Sequence, residues 1–73
     1  MITCGVVLFF TTSSAARAEK VLGKAGLAVR LIPTPRQFSS DCGISLRFSW
    51  ADFARVESLL RAAQVEIMSI RQM

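Results

Sequence analysis

The sequence predicts an α+β sandwich with the element order βαββαβ. Three observations lead there. Two β-rich segments at 2–10 and 28–32 flank an alanine-rich amphipathic stretch, and a second strand–helix–strand set follows after residue 43. A chain of 73 residues has room for one domain and one modest core. Four short strands with two crossover helices on one face bury apolar surface economically at this size.

The first strand, 2–10, is apolar almost throughout and reads as a central strand. With a period of two, Ile2, Cys4, Val6, Leu8 and Phe10 share one face, taken as the core face, and Val7 and Phe9 the other. On this reading Cys4 is a small buried core residue. Thr11, Thr12, Ser13 and Ser14 are good N-cap residues and predict a helix over 13–25. Ala15, Ala18, Leu22 and Ala25 recur at helical spacing, with Val21 widening the stripe. Gly26 is expected to end that helix in the left-handed region, with Leu27 making the accompanying contact.

The second strand, 28–32, stops at Pro33. After a long connection, Ile44, Leu46 and Phe48 alternate with Ser45 and Arg47 as a half-buried third strand. Ser49 is the expected N-cap of the second helix, with Asp52 three residues on. Phe53, Val56, Leu59, Leu60 and Ala63 form its buried stripe. The last strand is expected at 65–70, with 71–73 frayed. This pattern is the ferredoxin-like arrangement, one four-stranded antiparallel sheet in the order 4-1-3-2, spanning 1–73 as a single domain. The outer face would carry Val7, Phe9, Arg30, Ser45, Arg47, Met68 or Ile67, and Ile70, apolar enough to suggest a homodimer through the open sheet face.

Composition narrows the function. Hydrophobic residues make up 52% and charged residues 19%, which argues against disorder. No apolar run approaches the roughly 20 residues that span a bilayer, and the 6–10 stretch lacks the flanks of a signal peptide, so a cytoplasmic protein with no membrane partner is expected. The net charge is +4, but the basic residues are scattered singly, and no nucleic-acid partner is expected. Histidine is absent, which removes Cys/His catalysis and most zinc chemistry. Two cysteines are too few for a disulfide framework or a four-thiolate site, so neither a metal nor a cofactor is expected.

The connection 33–43 is long for so short a chain, since most connections run to about 4–6 residues. Pro33 and Pro35 stand at its entrance and Gly43 at its close, just after Cys42. The topology brings the start of the third strand beside the end of the first and the Thr11–Ser14 start of the first helix. Cys42 is then placed near a helix N-terminus, where partial positive charge favours a sulfur anion. Arg36 is the nearest cation in the chain, Ser39 and Ser40 could donate hydrogen bonds to sulfur, and Gly43 leaves the approach uncrowded. Asp41, a negative neighbour, opposes thiolate formation. Cys4 lies at the other end of strand 1, about 20 Å from its far end, which disfavours a disulfide between the two cysteines. A cysteine beside glycine can also be nothing more than a small turn residue.

The segment Pro33-x-Pro35-Arg36-x-x-Ser39-Ser40-x-Cys42-Gly43, followed by 44–48, resembles the DUF3343 family of selenium/sulfur carrier protein-like proteins. The resemblance extends over nearly the whole chain, including Ala18-Glu19-Lys20 and Ala25-Gly26. It implies that Cys42 accepts sulfur or selenium, as a persulfide or selenosulfide, and passes it to an acceptor protein. Arg36, Ser39, Ser40 and Gly43 would support it. A donor of the cysteine desulfurase type and an acceptor enzyme would be the partners, and the protein a stoichiometric shuttle more than a conventional enzyme. Two other readings stand beside this one. The domain is a non-enzymatic interaction or regulatory module working through its open sheet face, or Cys42 is a redox sensor.

Overall fold

The structure, a computed structural model, describes residues 3–38 and 42–73. Strands β1 (Cys4–Leu8), β2 (Val29–Pro33), β3 (Ile44–Ser49) and β4 (Ser69–Gln72) form one antiparallel sheet in the order β2-β3-β1-β4. Helices α1 (Thr12–Lys24) and α2 (Phe53–Ala62) follow β1 and β3, and a 3₁₀ turn, Trp50–Asp52, precedes α2. This is the ferredoxin-like βαββαβ arrangement and the expected strand order.

Both helices pack on one face. Ala15, Ala18 and Leu22 of α1 and Val56 and Leu60 of α2 join Val7, Phe9, Leu46 and Phe48 in a single core cluster. Alanines at positions 15 and 18 let α1 lie close to the sheet. The helix begins at Thr11, whose hydroxyl accepts from the Ser14 N–H at 3.2 Å. It ends in a Schellman motif. Leu27 N–H donates to Leu22 O and Gly26 N–H to Gly23 O, with Gly26 at φ 83°. The end of α2 repeats this geometry, with Val65 N–H on Leu60 O, but its left-handed residue is Gln64 at φ 56°. Arginines from each helix also satisfy carbonyls at the end of the other. Arg17 donates to Ala63 O at 2.7 Å and Arg55 to Ala25 O at 3.4 Å.

Four expectations are corrected. The parity of β1 is reversed, because Val7 and Phe9 face the helices while Cys4, Val6 and Leu8 face away. Gly5 explains the choice. It lies under Trp50, and a Cβ there would come within 2.6 Å of Trp50 Cε3 and 2.7 Å of Phe48 Cζ. Trp50 in turn stacks between Phe48 and Phe53, with centroids 5.9 and 4.8 Å away. Only the strand position without a side chain admits the indole.

Second, β4 occupies Ser69–Gln72, later than the expected 65–70. Val65 is used up as the buried residue after the α2 cap, and Ile67 packs on the core. Met68 N–H and Met73 N–H then bond Leu8 O and Cys4 O at either end of the β1 pairing, so 71–73 are not frayed. Third, Ser49 ends β3 and makes no side-chain cap hydrogen bond. Fourth, Cys4 is half-buried on the outer face and does not belong to the core.

The outer face differs accordingly. Ile70 and Ile67 pack against the core. One transverse row across the sheet reads Arg30, Arg47, Val6, Arg71, by direct pairing. Arg30 and Arg47, expected on this face, are joined there by Arg71, while Val7, Phe9, Ile67 and Ile70, which were to make it apolar, lie in or against the core. Val6 and Leu8 are nonetheless 0% and 3% exposed. The connection after β2 also reaches this face, where its Phe38 ring lies 5.5 Å from the Arg71 guanidinium carbon. Since β2 and β4 are opposite edges of the sheet, this contact carries the connection across the outer face.

Two stability measurements check these packing assignments. Gly5→Ala should lower unfolding free energy by about 1–3 kcal/mol in urea titrations, because the indole must move off the strand. An unchanged midpoint would show that Trp50 is not seated there. Gln64→Gly should raise stability by up to about 1 kcal/mol by relieving the left-handed conformation. A loss of stability would mean that Gln64 makes compensating interactions.

Candidate functional site

The site is built where β2, β3, the end of β1 and the first turn of α1 meet. Its centre is Cys42, only 4% exposed and part of the core cluster with Phe9 and Ile44. The sulfur lies 3.6 Å from Thr12 Oγ1, on the first residue of α1. The helix start expected beside the cysteine is thus in contact with it. The exposed thiol implied by a loop cysteine is not what the structure has, because Cys42 is tucked between sheet and helix.

Thr34 holds Cys42 in that position. Its backbone N–H donates to Gly43 O at 3.0 Å, and its hydroxyl donates to Cys42 O at 3.0 Å. The same oxygen lies 2.8 Å from Ser45 Oγ. A threonine hydroxyl has one proton, and it is already directed at the Cys42 carbonyl, so Ser45 donates to Thr34. Ser45 is 0% exposed on the outer side of β3. Thr34 therefore satisfies a buried hydroxyl and ties together the two ends of the connection. A threonine between two prolines gives no sequence signal of this role. The signal available was indirect: Ser45 next to Leu46 on a central strand needs a partner if it is buried.

The other expected residues fall in different places. Arg36 is exposed, inside a turn closed by Phe38 N–H on Pro35 O at 3.0 Å. Its side chain makes no hydrogen bond or ion pair with a described residue, whereas Thr12 does lie against the sulfur. Gly43 is exposed with nothing within 4 Å of where a Cβ would stand, and its φ is not positive. It contributes room. Ser39, Ser40 and Asp41 lie outside the described residues.

Neither Cys4 nor Cys42 is in a disulfide. They point to opposite faces of the sheet, Cys42 to the helix side and Cys4 to the outer side, where Arg47 Nη2 donates to its sulfur at 3.2 Å. Among the described residues no group of three or more His, Cys, Asp or Glu could hold a metal. No helix among them is long and apolar enough to cross a membrane. The arrangement offers one sulfur at a helix start, on a connection whose two ends Thr34 ties together. Such a group can take and release a small substituent by sulfur chemistry.

No curated protein and no solved structure matches the chain. A family model does, the one described as "Putative Se/S carrier protein-like", over residues 4–72. The match takes in every strand and both helices as well as Cys42 and Thr34. On that extent, the chain belongs to the Se/S carrier protein-like (DUF3343) family.

Proposed function

We propose that this protein carries sulfane sulfur, or selenium in its place, on Cys42 and delivers it to an acceptor protein. The observation that carries the reading is the contact of Cys42 Sγ with the first residue of α1, in a chain whose family is named for carriage. In loading, the Cys42 sulfur attacks the terminal sulfur of a donor persulfide. A bond forms between the Cys42 sulfur and the transferred sulfur, the donor's S–S bond breaks, and the donor cysteine leaves as thiolate. The Cys42 proton goes to solvent. Delivery reverses the roles, with an acceptor nucleophile taking the outer sulfur and Cys42 departing as thiolate. Unpaired N–H groups at the start of a helix favour negative charge nearby, both on that departing sulfur and on a bound persulfide. A cysteine desulfurase-type enzyme supplies the donor, an acceptor enzyme consumes the product, and the carrier itself turns over as a shuttle.

A thiol 4% exposed cannot meet a donor's persulfide while it stays seated. Transfer on this reading requires the connection to open at Thr34, whose contacts are few and local. Local openings of this kind lie at the low end of a protein's stability range. The buried state then shields the loaded sulfur from stray thiols between encounters.

Loading is checked by incubating the protein with a cysteine desulfurase and cysteine and measuring intact mass without reductant. Wild type and Cys4→Ser should gain one sulfur, and Cys42→Ser none. Equal labelling of Cys42→Ser, or no labelling of wild type, would sink the proposal. The opening step has its own readout. Thr34→Val removes the hydroxyl that bonds Ser45 and the Cys42 carbonyl, at a cost of about 1–3 kcal/mol to the closed form. Alkylation of Cys42 by iodoacetamide should accelerate on the order of tenfold, with Cys4 unchanged. Equal rates in the two proteins would show that Thr34 does not control access.

A further inference from the structure

A second concavity lies on the outer face, away from Cys42. It is an open concavity of about 300 Å³, lined by Cys4, Ala28, Arg30, Arg47 and Ser49 together with Val29 and Phe48. That volume is at the small end of ligand sites and suits a small molecule better than a chain segment. Arg30 and Arg47 are direct cross-strand partners, both pointing outward. Like charges directly opposed in a sheet destabilise it. Among the described residues no carboxylate neutralises them, and the one ion pair, Arg61 with Glu57, is on α2. Arg47 spends one N–H on Cys4 Sγ and Arg30 makes no hydrogen bond with a described residue. A guanidinium carries five N–H donors in a fork matched to oxyanions, so most of the donors here are unspent. Ser49 adds a hydroxyl that it does not use for helix capping.

We propose that this pocket binds a small, doubly charged oxyanion between Arg30 and Arg47. The anion supplies a counter-charge that no described residue gives the paired arginines. Arg47 is held in place by Cys4, and the Ser49 hydroxyl donates from the floor. Arg71 continues the same row of the sheet, but Val6 separates it from Arg47 and Phe38 lies against it, so it is not part of the pocket. The site is independent of carriage on Cys42, which points to the other face.

The test is titration of the isotope-labelled protein with inorganic phosphate and with thiosulfate, against chloride at matched ionic strength, followed by backbone and arginine side-chain NMR. Saturable shifts confined to residues 4, 28–30 and 47–49 are expected for the oxyanions. Arg30→Gln and Arg47→Gln should each weaken binding about tenfold, the loss of a charge-assisted hydrogen bond. Arg30→Lys should weaken it less, keeping the charge without the fork. Arg71→Gln and Cys42→Ser should bind as wild type does. Should Arg47→Gln fail to fold, the exposed Arg30 pair of variants decides alone. Three results would overturn the proposal: chloride reproducing the shifts, binding indifferent to Arg30, or a tetraglutamate peptide binding more tightly than either anion with equal dependence on Arg71. The last would make the arginine row a docking surface for acidic protein.

Discussion

The hydroxyl of Thr34 is the contact on which the architecture of the site depends. It sits between a buried serine hydroxyl and the carbonyl of the cysteine, while its own N–H reaches the next residue. Without it, Ser45 would be a fully buried hydroxyl with no partner among the described residues, which costs more than an ordinary hydrogen bond contributes. With it, the two ends of a long connection are pinned, and Cys42 joins the core beside the first turn of α1. Entropy opposes closing such a connection, and a few well-satisfied hydrogen bonds at its base offset part of that cost.

The sheet is thereby covered on both sides by different means. The two helices cover one face, α1 through Ala15 and Ala18 and α2 through Val56 and Leu60, and Trp50 wedged over Gly5 locks the β3–α2 corner to the central strand. The connection from β2, marked by Phe38 against Arg71, covers part of the other. The two cysteines end up on opposite sides of the same sheet, in unlike surroundings. Cys42 has apolar neighbours and a helix start, whereas Cys4 has a guanidinium at 3.2 Å. On the proposed function, the first is the thiol uncovered for transfer, and the second is a sulfur that accepts from Arg47.

Much of this was legible in the residues. The helix-start cluster at Thr11, the stop at Gly26, the alternation of Ile44, Leu46 and Phe48, and the strand order all follow from local chemistry and the handedness of crossovers. So did the meeting of Cys42 with the start of α1. The parity of β1 was not legible, because both of its faces are apolar and both are buried, so alternation carries no information there. The decisive feature was steric, a glycine beneath a tryptophan more than forty residues away in the chain. The late start of β4 escaped notice because Gln64 takes a conformation usually left to glycine and Val65 serves the cap that follows. Burial of Cys42 was hidden for the same reason as the role of Thr34. Loop sequences do not announce which of their small polar residues turn inward.

The central claim is that Cys42 is a protected carrier of a single chalcogen atom. The most direct measurement is intact mass and peptide mapping of the protein isolated from its own cells without reductant. The account predicts a fraction heavier by one sulfur or one selenium, with the added atom on the peptide containing Cys42 and removed by dithiothreitol. An unmodified Cys42 in all of the protein, or the extra atom on the peptide containing Cys4, would contradict it.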